Sequence, residues 1–172
     1  EVDGYETQNI TMKLLSNFFK TSKMEITHYA LMYMNLIFNN LIRFIGEDFT
    51  PLAPVLLEGY ATSCCVKQHY SGIINCTSRI DMSEEIAISF ATRYAKMEFT
   101  EYDEYVEASL EDFLNLHNGL YLVNMSNMYS EELSLEPPVR ETDPVVTLPK
   151  GSFMIPVIYP FGTVNLIFEM SE

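Results

Sequence analysis

The sequence predicts an α+β domain in which helices pack on an antiparallel or mixed β-sheet, with a pseudo-two-fold internal arrangement. Three observations carry this reading. Apolar residues recur at helical spacing up to Ile45, a period-two strand closes the chain, and a helix followed by paired strands occurs once before residue 82 and again after 103.

The elements follow in order. Ile26, Tyr29, Ala30, Tyr33, Ile37, Leu41, Phe44 and Ile45 predict a helix from Met24 to Ile45 that is closed at Gly46. Ahead of it, Met12, Leu15, Phe18 and Phe19 have the spacing of one short amphipathic helix. Residues 1–23 are therefore read as a linker or an extra N-terminal helix, and residues 24–172 as the domain itself. After Pro51 and Pro54, the β-rich runs "VLLEGYATSCCVKQHY" and "GIINCTSRI" flank a Ser71-Gly72 turn and predict one long hairpin. Asp81 or Ser83 then caps a helix with the stripe Ile86, Phe90, Tyr94 and Met97; Glu84 and Glu85 lie in its first turn, where the helix dipole favours acids. The next helix runs from about Asp103 to Asn118 and is expected to end at Gly119. Beyond it "LYLVNMSNMY" reads as a strand, and "EPPVRETDP" as a proline-broken connection. Finally "SFMIPVIY" turns at Pro160-Phe161-Gly162 into "TVNLIFEM", where Val164, Leu166, Phe168 and Met170 alternate with Thr163, Asn165, Ile167 and Glu169.

Composition excludes several function classes. At 172 residues, 48% of them apolar and 20% charged, the chain can bury one globular core. Its 24 acidic residues against 10 basic ones give a net charge of −14, which repels nucleic-acid backbones and anionic membrane surfaces. The greasiest stretch, "ALMYMNLIFNNLIRFIG", is broken by Asn35, Asn39, Asn40 and Arg43 and reads as a core helix, not a membrane span. No basic-then-apolar leader opens the sequence. With three cysteines, an odd count, the expectation is a cytoplasmic protein in which Cys64, Cys65 and Cys76 are buried small residues. No Cys-x-x-Cys or His-x-x-x-His spacing and no Gly-rich phosphate loop is present, so no metal or nucleotide of its own is expected.

The stretch "EASLEDFLNLHNGLYL" is where polar chemistry concentrates. At 100° per residue Val106, Leu110, Phe113 and Leu114 share one side of the helix, which must be buried, and His117 falls near them as a core histidine. Ala108, Asp112, Asn115 and Gly119 line up on the opposite side. An acid and a carboxamide thus sit one turn apart, flanked by two residues with almost no side chain.

Asp112, Asn115 and, after 22 intervening residues, Pro138 form a pattern that resembles the signature of the CheC/CheX chemotaxis phosphatases, (Asp/Ser)-x-x-x-Glu-x-x-Asn-x(22)-Pro. Gly119 resembles the Gly that ends that motif, and "GIINCTSRIDMSEEIAISFATRYAKM" is similar to the family's preceding strand and helix. The likeness spans roughly residues 24–170. The chain departs from it at Asp112, one methylene shorter than the family's Glu, and at Ala108, where the family has Asp or Ser; Glu111 stands one position off the stripe. Asn39-Asn40 lacks an acid three residues earlier, so a single site of the CheX type is expected.

The resemblance implies hydrolysis of the aspartyl phosphate of a CheY-type receiver domain. Asn115 would hold the attacking water through its side-chain oxygen or nitrogen, and Asp112 would pair with the receiver's lysine. Ala108, Glu111, Gly119 and Pro138 would contact the partner. The Mg²⁺ would come with the phosphorylated receiver, and family members of this type imply a homodimer. The alternative is a receiver-binding module without catalysis, built on a degenerate motif and possibly part of a longer receiver-containing chain.

Overall fold

A computed structural model describes Lys13 and residues 28–171. Met12, Leu15, Phe18 and Phe19, on which the expected short helix rests, and the start of the next helix at Met24, lie outside the described residues. Helix α1 spans His28–Phe44 and closes on Gly46, whose φ of +139° only glycine adopts freely and whose N–H returns to the Leu41 carbonyl at 2.9 Å. Five strands follow: β1 Thr50–Pro51, β2 Val55–Leu56, β3 Gly59–Ala61, β4 Val66–Ser71 and β5 Asn75–Asp81. Helices α2 Glu84–Ala95 and α3 Glu104–Tyr129 come next, then β6 Ser134–Leu135, β7 Val139–Arg140, β8 Val145–Thr147, β9 Phe153–Tyr159 and β10 Gly162–Ser171.

The main sheet has the order β1-β9-β10-β5-β4-β6, with β2 also pairing with β9 and β7 with β4, and every pairing is antiparallel. Helices α1, α2 and α3 bury their apolar stripes against one face of it. Val164, Leu166 and Phe168 from β10, Phe153 and Ile155 from β9 and Val66 and Tyr70 from β4 meet Tyr33, Phe90, Phe113 and Tyr121 there. The other face is partly covered by the small β3-β8 ribbon, which buries Ile167 with Val146 and Leu148. Alternation had grouped Ile167 with the polar residues of β10. A second layer on that face makes it a core residue instead.

Four further expectations are corrected. The long hairpin is shorter than its sequence signal: only β4 and β5 pair across the Gly72 turn, and the residues before them are diverted to β9 and β8 as β2 and β3. Part of the proline-broken connection forms β7 against β4. Met97 lies past the end of α2, which Lys96 caps in the left-handed conformation, and is 62% exposed instead of continuing the stripe.

The largest correction concerns α3. It does not stop at Gly119; "LYLVNMSNMY" continues the helix to Tyr129, where Ser130 caps it with φ +55°. Tyr121 and Met125 prolong the buried stripe of Leu110 and Leu114, and their burial outweighs the roughly 1 kcal/mol that a mid-helix glycine costs.

The β9-β10 turn depends on Gly162, with φ +136° and Ile86 so near that a Cβ would lie 2.5 Å from its Cδ1. Gly162→Ala should lower the unfolding free energy by ~1–3 kcal/mol in urea titrations. A second prediction concerns His117, which is fully buried; burial pushes its imidazole down to about 3 from 6.5. Asn40 Nδ2 meets its Nδ1 at 3.0 Å, which fits a neutral ring protonated on Nε2. Below pH 6.5 the unfolded chain takes up a proton that the fold refuses, so stability falls as pH drops towards 3. The slope from this one group is at most ~1.4 kcal/mol per pH unit. Urea titrations between pH 7.5 and 5 should show this loss in the wild type, over and above that of His117→Gln.

Candidate functional site

The site is carried by α3, a helix of 26 residues whose N-terminus is fixed by Asp103, its carboxylate accepting from the backbone N–H groups of Tyr105 and Val106, both at 3.0 Å. Val106, Leu110, Phe113 and Leu114 are wholly buried, as their spacing required. Ring contacts lock the helix in rotation: Phe113 meets Phe90 edge-on at 5.3 Å and Tyr94 at 5.8 Å. With that side held, Ala108, Asp112 and Asn115 are exposed on the opposite side. A Cβ on Gly119 would touch nothing within 4 Å, so the surface beside the pair is open.

The two motif side chains have different partners. Asp112 Oδ2 accepts a hydrogen bond of 2.5 Å from the Tyr94 hydroxyl, and burial, reinforced by this carboxylate, holds the phenol well above its ordinary range, so it stays a donor. Asn115 Oδ1 accepts a 2.7 Å bond from Nε2 of Gln68 on β4. The same Nε2 donates to the backbone carbonyl of Glu136 at 2.8 Å, while Gln68 Oε1 accepts from Asn118 Nδ2 at 2.8 Å. Asn118 in turn bonds Tyr33 and Ser78. Among the described residues no partner is seen for Asn115 Nδ2, which leaves the exposed amide free of them on that side.

The remaining expected residues are only partly gathered here. Glu111 is half-buried one turn before Asn115; burial first, then the neighbouring Glu107, pushes its carboxyl up. Pro138 lies between Glu136, whose N–H bonds the His69 carbonyl, and Val139, which pairs with Lys67, in a strap along β4. Asn40, half of the pair considered as a second motif, is buried and occupied by His117. Among the described residues no group of three or more His, Cys, Asp or Glu side chains is placed to hold a metal ion, and no helix is long and apolar enough to cross a membrane.

Sequence reasoning overlooked Tyr94, Gln68 and Asn118. The spacing places Tyr94 on the stripe of α2 with Ile86 and Phe90, yet its hydroxyl emerges at an open groove of about 830 Å³ that Phe44, Met97, Phe99, Tyr105 and Asp112 also line. Gln68 did leave a signal: it is the polar residue between Val66 and Tyr70 on the buried face of β4.

Taken together, this is a helix-on-sheet domain that displays an acid and an amide on an exposed helix face. No protein-family model and no curated protein matches the chain. Among solved structures its fold is that of the CheX and CheC-like chemotaxis proteins. A CheX from Desulfovibrio desulfuricans aligns with a TM-score of 0.67 at 12% identity, over 84% of this chain and 100% of that one. The CheX-CheY-BeF3-Mg+2 complex from Borrelia burgdorferi gives 0.68 at 17% identity, over 84% and 98%. A CheC-like protein from Shewanella gives 0.67 at 14%, over 84% and 99%. The fold expected from residues 24–170 is therefore the one found.

Because the Tyr94–Asp112 bond lies at the surface, its loss should be mild. Tyr94→Phe is expected to cost about 1 kcal/mol in denaturant unfolding, and a loss above about 3 kcal/mol would mean that the hydroxyl supports the core instead.

Proposed function

We propose that this domain docks α3 on a CheY-type receiver and hydrolyses its aspartyl phosphate, with Asn115 placing the water and Asp112 setting the docking register. The observation that carries the reading is the exposed Asp112 and Asn115, three residues apart on one face of a rigid helix, in a fold shared with a CheX solved in complex with CheY.

The chemistry suits so few groups. An acyl phosphate already has a good leaving group, and catalysis can come from placing the nucleophile in line. Water oxygen bonds to phosphorus as the bond from phosphorus to the receiver's carboxylate oxygen breaks. The carboxylate leaves with the electron pair, and both water protons end on inorganic phosphate, so no general base has to be supplied. A neutral amide can approach the phosphoryl dianion without repulsion. A lone carboxylate cannot, and Asp112 is useful there only if a receiver cation meets it, as a lysine would in a charge-assisted pair. The receiver brings the Mg²⁺ that draws charge from the phosphoryl oxygens.

A second reading, recognition without catalysis, is favoured by one feature: Ala108 stands where the family carries Asp or Ser, which removes a polar contact from the docking face. Release of phosphate from a phosphorylated receiver separates the two. Asn115→Ala should lower kcat by roughly 100-fold or more, whereas Asp112→Ala should chiefly raise KM, by about tenfold or more for one lost charged bond. Asp112→Glu should keep or raise activity. Binding with no acceleration by the wild type would support the recognition module, and neither binding nor acceleration would leave the shared fold alone.

A further inference from the structure

We propose that Gln68 is a positioning residue which fixes the polarity of the Asn115 amide, so that the group offered to the attacking water is the Nδ2 donor and not the oxygen. The kinetic part of this proposal rests on the phosphatase reading; the orientation of the amide does not.

The direction of the chain of amides follows from one unambiguous acceptor. A backbone carbonyl can only accept, so the Glu136 oxygen at 2.8 Å requires the Gln68 amide nitrogen on that side. The same nitrogen has a second proton, and Asn115 Oδ1 at 2.7 Å takes it. Gln68 Oε1 must then face Asn118, which supplies Nδ2 at 2.8 Å. Reversing Gln68 would set its oxygen against the Glu136 carbonyl and leave two acceptors face to face in a nearly dry site, Gln68 being 1% exposed and Asn118 0%. Glu136 itself cannot swing away. Its N–H is bonded to the His69 carbonyl at 3.0 Å, and Pro137 and Pro138 follow it, restricting the backbone before each of them. Pro137, whose ring nitrogen is bonded to that carbonyl carbon, thereby acts on Asn115 at one remove, through the carbonyl that orients Gln68.

The consequence for the reaction is specific. A water that accepts from Asn115 Nδ2 keeps both its hydrogens free to point at phosphoryl oxygens, where they must finish, and a lone pair free for phosphorus. An outward-facing Oδ1 would capture one of those hydrogens and set an acceptor near the dianion.

Gln68→Glu and Gln68→Met test this on the full chain. In the glutamate variant the carboxylate still accepts from Asn118 but can no longer donate, so Asn115 turns Nδ2 inward and presents its oxygen; in the methionine variant the amide loses its anchor. With a phosphorylated receiver, kcat should fall by about tenfold or more in both while KM stays within about twofold, a split that general loosening of the fold would not give. Side-chain ¹⁵N relaxation of the Asn115 amide should show one ordered orientation in the wild type and a mobile group in Gln68→Met. Wild-type kcat in a folded Gln68→Met, with Asn115→Ala inactive, would overturn the proposal. Should Asn115→Ala be as active as wild type, the phosphatase reading fails instead, and the relaxation data still decide: equal order of Asn115 in wild type and Gln68→Met would overturn the positioning role.

Discussion

The interaction on which the rest of the structure depends is the run of side-chain hydrogen bonds from Tyr33 through Asn118 and Gln68 to Asn115, with Ser78 and the Glu136 carbonyl joined to it. Polar groups taken out of water must be satisfied, and one missing member of such a network costs more than any single bond contributes. These bonds can all close only when α1, α3, β4 and β5 hold one mutual register. The network therefore specifies the placement of α3 on the sheet more sharply than apolar contact could, because leucines and phenylalanines tolerate small slides and amides do not. It also ends at the surface, on the exposed amide of Asn115, so the same constraint that fixes the fold aims the group proposed to hold the water.

The helix carrying that group has two unlike sides. One is saturated with rings and aliphatic side chains, and the other is nearly bare, with alanine at 108, glycine at 119 and open space above the glycine. A bare surface lets a partner approach the backbone closely and requires little ordering on contact, which under the proposed function would let a pair of short side chains act on a phosphoryl group held by another protein. Tyr94 serves the acid as Gln68 serves the amide: each comes from a neighbouring element and restricts a side chain that would otherwise sample several rotamers. The overall charge of −14 makes the placement of the acid more consequential. Under the proposed function, an acidic domain approaching a phosphorylated one gains only where a cation on the partner meets Asp112.

Much of this was legible in the residues, and the failures share a cause. Val106, Leu110, Phe113 and Leu114 placed the buried side of α3, and from it the outward direction of Asp112 and Asn115, because period and polarity agree over four turns. The end of the helix was misjudged because Gly119 and the β-branched and aromatic residues after it signal a break locally, whereas Tyr121 and Met125 are held helical by packing that lies far away in sequence. Ile167 was misassigned for a similar reason, since alternation reports which residues share a face but not whether the far face is covered. Gln68 was missed as the partner of Asn115, and Asn118 as the partner of Gln68. The spacing on a strand and on a helix gives each residue's direction, yet nothing in one sequence tells that two amides 50 residues apart converge on each other.

The most direct measurement is a crystal structure of the full chain bound to a receiver whose aspartate carries beryllium trifluoride and Mg²⁺ in place of the phosphoryl group. The account predicts that α3 lies over the modified aspartate, that Asn115 Nδ2 stands about 3 Å from a water or vacant water position in line with the beryllium–oxygen bond, and that Gln68 still holds Oδ1 from behind. A complex in which another surface of the domain meets the receiver, or in which Asn115 turns its oxygen to that position, would contradict it.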